Sequence, residues 1–282
     1  MPARFTLLLM AGGLSLTLLA GAPSPAAHAA ALADLFAKSD EAATTVVDHG
    51  AWSELLAAYV KPSPGAVSRL DYAAFKADGR DKLKAYLDRL QAVDVVALNR
   101  AEQLAFWANL YNAKTIDIVL DHYPVSSIKR INLGGSLLSS FAGGPWDAEV
   151  VTVHGQALSL NDIEHKIMRP IFKDPRIHYA VNCASIGCPN LAGVAFTGAA
   201  LDGQLEAAAR AYVNDPRGCS VSDAGITVSS IYKWYAEDFG GNAKSVLAHL
   251  QKYAEPALAQ SLAGARSIAD YQYDWSLNDS AH

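Results

Sequence analysis

A long helix predicted between Asn99 and His122 constrains the fold more than any other feature of this sequence. Asn99 and Glu102 form the N-x-x-E pattern that is typical of a helix start. The pattern stops just before Pro124, and helices usually end at or before the residue that precedes a proline. Trp107 lies at its centre among other large apolar side chains, which can anchor a hydrophobic core.

Two asparagines interrupt this apolar centre. Asn109 and Asn112 are three residues apart, so they place two amides on one helix face. Asparagine is a poor residue for a helix interior, and a buried amide needs hydrogen-bond partners. The two side chains could hold a neighbouring loop or could line a binding cleft, and the sequence leaves both interpretations open.

Helical patterns dominate the first half of the chain, and short strand patterns gather in the second half. Two turns, at residues 154–156 and 223–225, are flanked by segments typical of hairpins. We therefore predict an α+β fold, a mainly helical single domain with a small antiparallel or mixed sheet in the second half. Apart from the long helix, apolar spacing and capping residues predict helices over residues 31–47, 52–59, 72–90, 160–168, 201–213, 231–239 and 243–253.

The first 29 residues have the composition of a secretory signal peptide. Arg4 supplies the positive start, an apolar run follows, and Ala27-His28-Ala29 has the small-x-small form of a cleavage site. We expect cleavage after Ala29 and a periplasmic or secreted protein. No later segment has the unbroken apolar length of a membrane span. The predicted organisation is a signal peptide (1–29), a helical segment that packs on the main domain (30–97) and the main domain (98–282).

Charge and motif content limit the classes of ligand. The chain has a formal net charge of −5, and loss of Arg4 with the signal peptide makes it −6. This negative balance argues against nucleic acid or an anionic membrane as a partner. The glycine motifs that bind dinucleotides or phosphates do not occur, so we predict no cofactor. A small molecule, a peptide or a glycan is the expected ligand.

Residues 178–190 are the strongest candidate for a functional site. The apolar run from Ile177 to Val181 predicts a strand, and a loop rich in Gly, Pro and Ser follows it. Such a loop leaves the thiol of Cys183 open to a substrate while the strand holds its position. Cys183 is therefore the candidate nucleophile.

A nucleophilic thiol needs a base, and His178, His165 and His154 are the candidates. In a regular strand the side chain of His178 points away from that of Cys183, whereas His165 would come from a neighbouring helix.

Other side chains could complete such a site. Glu164 or Asp238 could orient the imidazole, and Asn182 could stabilise an oxyanion. Trp146 and Trp234 could line the cleft, although aromatic residues such as Trp234 are more often part of a core.

Three less reactive interpretations of the cysteines stay open. Cys183 can be a buried and inert apolar residue. It can form a disulfide with Cys188, or Cys188 can pair with Cys219, and three cysteines leave at least one unpaired in a monomer. A metal site is not predicted, because the spacing of the His and Cys residues matches no familiar zinc signature.

Five motifs in order resemble the domain-of-unknown-function 547 family, from about Leu98 to the C-terminus. The resemblance implies an exported bacterial member and names no reaction, because the family has no settled activity. In the plant form of the motif the equivalent of Cys183 is kept and that of Cys188 is replaced, which implies a shared single thiol. The motifs are F-W-A-N-L-Y-N-A (106–113), G-Q-A-L-S-L-N-D-I-E-H (155–165), H-Y-A-V-N-C-A-S-I-G-C-P (178–189), S-I-Y-K-W-Y-A-E-D-F (230–239) and Y-D-W-S-L-N (273–278).

Two functional hypotheses result. The first is a cysteine-dependent hydrolase or acyl-transfer enzyme that uses a thiol with a histidine base. The second is a non-catalytic exported domain that binds a ligand or partner through the same polar residues. A thiol that is accessible and close to an imidazole would favour the first hypothesis.

Overall fold

The computed structural model describes residues 24–63, 65–134 and 144–281. Residues 1–23, which form most of the predicted signal peptide, lie outside this range. The first helix, α1 (Pro25–Phe36), crosses the predicted cleavage site, and its buried side chains Leu32 and Phe36 both follow that site. In the described ranges no helix has the length and apolar character needed to cross a membrane.

The elements before the site are mainly helical, as predicted. After α1 come α2 (Gly50–Tyr59), β1 (Val60–Lys61), β2 (Arg69–Leu70), α3 (Tyr72–Ala74), a π-helical segment (Phe75–Gly79), α4 (Arg80–Gln91) and α5 (Arg100–His122).

Helix α5 is the centre of the fold. The Oδ1 atom of Asn99 accepts the N–H of Glu102 at 3.0 Å, which confirms the predicted helix start. Every residue from Glu102 to Leu120 except Lys114 is buried. A helix that is buried on all sides has no solvent face, so the other elements pack around α5.

The second half combines short helices with two small sheets. The strands β3 (Val151–Val153) and β4 (Gln156–Leu158) pair as the predicted hairpin. In the mixed sheet, β6 pairs antiparallel with β5 and parallel with β7. The fold is therefore the predicted mainly helical α+β domain. The remaining elements are a π-helical segment (Asp162–Met168), α6 (Arg169–Phe172), α7 (Ile177–Ala180), α8 (Leu201–Val213), β5 (Cys219–Ser222), β6 (Gly225–Ser229), α9 (Ile231–Trp234), α10 (Ala243–Tyr253), α11 (Pro256–Leu262) and β7 (Asp270–Gln272).

Two predicted elements are wrong. The helix predicted over 31–47 ends at Phe36, because Arg100 and Gln103 of α5 donate hydrogen bonds to the carbonyls of Ala37 and Lys38 at 2.7 and 2.6 Å. The two carbonyls therefore bond to α5 and are not used to continue the helix. The strand predicted over 177–181 is the helical turn α7. It is buried throughout, and a short apolar run does not distinguish a buried strand from a buried helix.

Two hydrophobic cores meet at the candidate site. The larger core surrounds α5 and includes residues from Leu32 to Leu277, so the 30–97 segment shares it with the main domain. The smaller core lies between α8, α10 and the mixed sheet. The segment 178–190 runs from one core to the other, with Val181 in the first and Tyr179 in the second.

Candidate active site

A cavity of about 280 Å³ opens where the two cores meet. Its lining combines a pair of thiols, a group of ionisable side chains and a wall of aromatic rings, the mixture that small-molecule sites often have. The residues on which the chemistry depends are Tyr111, Lys129, Trp146, Asp147, Asn161, Glu164, His165, His178, Cys183, Cys188, Trp234, Tyr235, Tyr273 and Trp275.

The sulfur atoms of Cys183 and Cys188 lie 2.6 Å apart. Both are free thiols, as is Cys219, which is buried on β5. Cys183 is partly exposed to the cavity, whereas Cys188 is buried behind it. The pair therefore has one accessible sulfur and one enclosed sulfur in direct contact.

Hydrogen-bond donors surround this pair. The backbone N–H of Cys183 donates to Cys188 Sγ at 3.0 Å. The Tyr273 hydroxyl lies 3.0 Å from Cys188 Sγ and 3.1 Å from Cys183 Sγ, and the Ser185 hydroxyl lies 3.5 and 3.3 Å from them. A set of donors around a sulfur favours its ionised form.

The hydrogen bonds shift the pKa values of the two thiols in opposite directions. Burial opposes ionisation of Cys188, but the hydrogen bonds from Cys183, Ser185 and Tyr273 outweigh it and lower the pKa of Cys188 to about 6. The hydrogen bond that Cys183 donates to Cys188, together with burial, raises the pKa of Cys183. These shifts favour the thiolate on Cys188 and the thiol on Cys183.

The two asparagines of α5 hold the backbone of the cysteine segment. Asn112 donates to the carbonyl of Ala180 and accepts the N–H of Asn182, both at 2.8 Å. Asn109 clamps Phe196 in the same way, at 2.8 and 3.0 Å. Both amides are buried and neither lines the cavity. The structure thus has the loop-holding arrangement, and not the cleft-lining one.

Asn182 is also engaged inside the loop. Its Nδ2 donates to the carbonyl of Pro189 at 2.7 Å, and its Oδ1 accepts the N–H of Ala184 at 2.8 Å. Ala184 has a φ of 61°, a left-handed conformation that non-glycine residues seldom adopt. The Asn182 side chain stabilises this turn, which carries Cys183, and its amide does not point into the cavity lining.

The C-terminal tail brings Tyr273 to the sulfurs. The N–H groups of Ile186 and Gly187 donate to the carbonyls of Ser276 and Asp274, each at 2.8 Å. A Cβ atom on Gly187 would lie 2.8 Å from the backbone nitrogen of Asp274, so only glycine permits this approach. Sequence reasoning did not assign roles to Tyr273 or Ser185, although the Y-D-W-S-L-N motif was the signal that could have pointed to the tail.

Ion pairs organise the opposite side of the cavity. His178 Nε2 lies 2.6 Å from Asp238 Oδ2, and His178 Nδ1 lies 3.6 Å from Glu164 Oε1. Arg169 Nε also contacts Asp238 at 2.6 Å, and the His178 ring stacks on Tyr235 at 4.2 Å. This arrangement holds the imidazole between two carboxylates.

The carboxylates and the imidazole shift each other's pKa values. Burial opposes a charge on His178, but the bonds to Asp238 and Glu164 outweigh it and raise its pKa. Burial likewise opposes ionisation of Asp238, yet His178 and Arg169 lower its pKa to about 2. Burial, together with the positive charge of Arg169, lowers the pKa of His165. His178 is therefore the more basic of the two imidazoles and His165 the less basic one.

The structure brings most of the candidate residues together but separates the thiol from the imidazoles. Among the described residues, neither sulfur of the pair hydrogen-bonds to a histidine nitrogen. Glu164, His165, His178 and Cys183 line the cavity with Trp146 and Trp234, and Asp238 lies behind His178. His154 is outside the cavity lining, at the turn of the β3–β4 hairpin and 3.4 Å from Asp94. In the described part of the chain no group of three or more His, Cys, Asp or Glu is arranged to hold a metal ion.

The fold and the site define an α+β protein with a thiol pair in an aromatic-walled cavity. Residues 95–213 match the model of the family described as "Protein of unknown function, DUF547", which confirms the predicted resemblance over that part of the chain. Two of the five motifs, 230–239 and 273–278, lie beyond the matched residues, although they supply Trp234 and Tyr273 to the cavity. Comparison with curated proteins and with solved structures found no significant match.

Proposed function

We propose that this protein is an exported thiol-dependent acyl-transfer enzyme, and a hydrolase when water is the acceptor. The observation that carries the proposal is the contact between Cys183 and Cys188. One sulfur is accessible from a ligand-sized cavity, and the other lies in direct contact with it and can accept its proton. A thiol is a useful nucleophile only when a nearby group removes its proton, and here that group is the second thiolate.

The reaction balances with the residues of the pair. The sulfur of Cys183 attacks the acyl carbon while its proton passes to the Cys188 thiolate. The leaving oxygen or nitrogen departs with that proton, which leaves a thioester on Cys183 and the thiolate on Cys188. Water then attacks the thioester, one of its protons goes to Cys188, and that proton returns to Cys183 as the acid is released.

In this scheme the histidines do not activate the thiol. His165 lines the cavity, where its imidazole can hydrogen-bond the attacking water while the proton of that water goes to Cys188. His178 supplies positive charge to the cavity wall, and Glu164 and Asp238 hold it in place.

A non-catalytic binding role is the alternative. It is favoured by the absence, in the described ranges, of a hydrogen bond between sulfur and imidazole, and by the use of Tyr273 and Ser185 as ties between loop and tail. In that role the thiol pair would only stabilise the loop. The two functions differ in whether Cys183 reacts faster than an ordinary thiol.

Alkylation by iodoacetamide as a function of pH, in the presence of a phosphine reductant, tests the proposal. We expect the alkylation of Cys183 to rise with a midpoint near the pKa of its base Cys188, about 6. In Cys188→Ser the step near pH 6 disappears and the rate at pH 7 falls, because no thiolate is left to take the proton of Cys183. Cys219→Ser is the matched control, since Cys219 lies outside the cavity lining, and it should behave as the unmodified protein.

Turnover and redox state complete the test. With p-nitrophenyl acetate we expect a burst of one p-nitrophenolate per chain, which is lost in Cys183→Ser. A Cys183 that reacts no faster than glutathione would contradict the proposal. So would a Cys183–Cys188 disulfide in protein isolated without reductant from its own compartment.

N-terminal sequencing of exported protein should start at Ala30, and an uncleaved chain would contradict the export part of the proposal.

A further inference from the structure

The cavity has an aromatic wall that the thiol chemistry does not use. Trp146, Trp234 and Trp275 line it, and the Trp275 ring lies 5.6 Å from each of the other two. Trp234 also lies 4.8 Å from Tyr273. Trp234 is 46% exposed, an unusual state for so large an apolar side chain. Exposed aromatic surface at the mouth of a cavity indicates a ligand that covers it.

Three polar side chains line the same cavity. Asn161 Nδ2 donates to Asp147 Oδ1 at 2.6 Å, and Lys129 Nζ lies 5.1 Å from the centre of the Trp275 ring. Together they offer amide, carboxylate and ammonium groups to one ligand. A ligand that fits must therefore combine an apolar face with a polar edge.

Charge excludes two ligand classes that also bind near aromatic residues. A quaternary ammonium prefers a cage of aromatic rings, but Lys129 already places a positive charge over Trp275. A simple acyl chain has no hydrogen-bonding groups to offer to Lys129, Asp147 and Asn161, which line the cavity.

A carbohydrate ring has the required combination, because its C–H groups form an apolar face and its hydroxyls form a polar edge. We propose that this cavity binds a carbohydrate on the Trp234 side, so that the acyl group of an acylated sugar lies toward Cys183. The inference rests on the proposed function for the acyl chemistry, but carbohydrate binding itself does not require a reactive thiol.

The experiment measures binding by Cys183→Ser protein, which cannot turn over. Intrinsic tryptophan fluorescence and calorimetry are recorded with xylotriose, maltotriose and chitotriose as probes. We expect saturable binding of at least one trisaccharide. Trp234→Ala should weaken it about tenfold, the effect expected for loss of one stacked ring. Val221→Ala is the control, because Val221 is similarly exposed, at 43%, and lies on β5, outside the cavity lining.

Each outcome decides the inference. It is overturned if none of the trisaccharides binds saturably, if Trp234→Ala binds as tightly as its parent, or if tetramethylammonium or N-acetyl-phenylalanine amide binds more tightly than the sugars. Failure of the acyl-transfer proposal would show as slow alkylation of Cys183 and would leave the sugar titration unchanged. The two failures are therefore distinguishable.

Discussion

The two sides of the cavity hold charge by different means. On the sulfur side, neutral donors from the backbone, Ser185 and Tyr273 surround a single negative charge. On the imidazole side, charged groups neutralise one another, with His178 between Glu164 and Asp238. The first arrangement depends on the path of the backbone, and the second depends on pH and salt.

This difference has a physical basis. Hydrogen bonds to a buried thiolate require that the loop and the tail stay in register, because a donor displaced by an ångström is lost. Ion pairs tolerate displacement better, but solvent screens them where they are exposed, as Asp238 partly is. The sulfur side should therefore be sensitive to backbone clamps, and the imidazole side to titration.

The largest expected effect is on the clamp beneath the sulfur side. Asn112→Leu removes both hydrogen bonds to the cysteine segment and leaves the Ala180 carbonyl and the Asn182 N–H buried without partners. We expect a loss of about 3 kcal/mol in the free energy of unfolding, measured in urea. Asn132→Leu, at an exposed asparagine, should change it by less than about 0.5 kcal/mol. Similar losses in both variants would show that the two hydrogen bonds of Asn112 do not stabilise the folded protein.

A smaller effect is expected from the Tyr273 hydroxyl. Tyr273→Phe keeps the ring but removes a donor to the thiolate, so the midpoint for alkylation of Cys183 should rise by roughly one pH unit. Tyr271→Phe, on β7, should leave the midpoint unchanged. An unchanged midpoint in Tyr273→Phe would mean that the backbone and Ser185 alone stabilise the charge.

The smallest effect concerns the imidazole side and its pH dependence. The raised pKa of His178 gives stability that is complete below pH 6.5 and is lost as the pH rises through that pKa. The lowered pKa of Asp238, about 2, gives stability to the folded protein that is complete above pH 3.8 and is lost as the pH falls toward 2. The ion pair therefore stabilises most between about pH 4 and 6.5.

Unfolding measurements can test this window. The stability difference between the unmodified protein and His178→Gln should shrink as the pH rises from 6.5 to about 9, and should be smaller in high salt. His122→Gln is the matched control, because it also removes an imidazole but loses only a hydrogen bond to the Ile118 carbonyl. If the stability difference for His178→Gln does not change with pH, the raised pKa of His178 is contradicted.

Much of the local structure followed from short patterns in the sequence. The Asn99 cap set the start of α5, and Ser159 and Asp162 bond each other in both directions, at 3.0 and 2.8 Å, where the helix predicted over 160–168 starts. The predicted helix over 201–213 has the bounds of α8. Such features depend on residues within three or four positions of each other, so their chemistry is visible in the sequence.

The sequence by itself determined the long central helix, the α+β class and the resemblance to the family whose model matches residues 95–213. Only the tertiary structure decided what surrounds that sulfur. Tyr273, which contacts it, is 90 residues away, and His178, five residues away, instead faces two carboxylates. The reason is physical: helix caps and apolar periodicity are local, whereas the ionisation of a thiol depends on whichever donors the folded chain brings within hydrogen-bond distance.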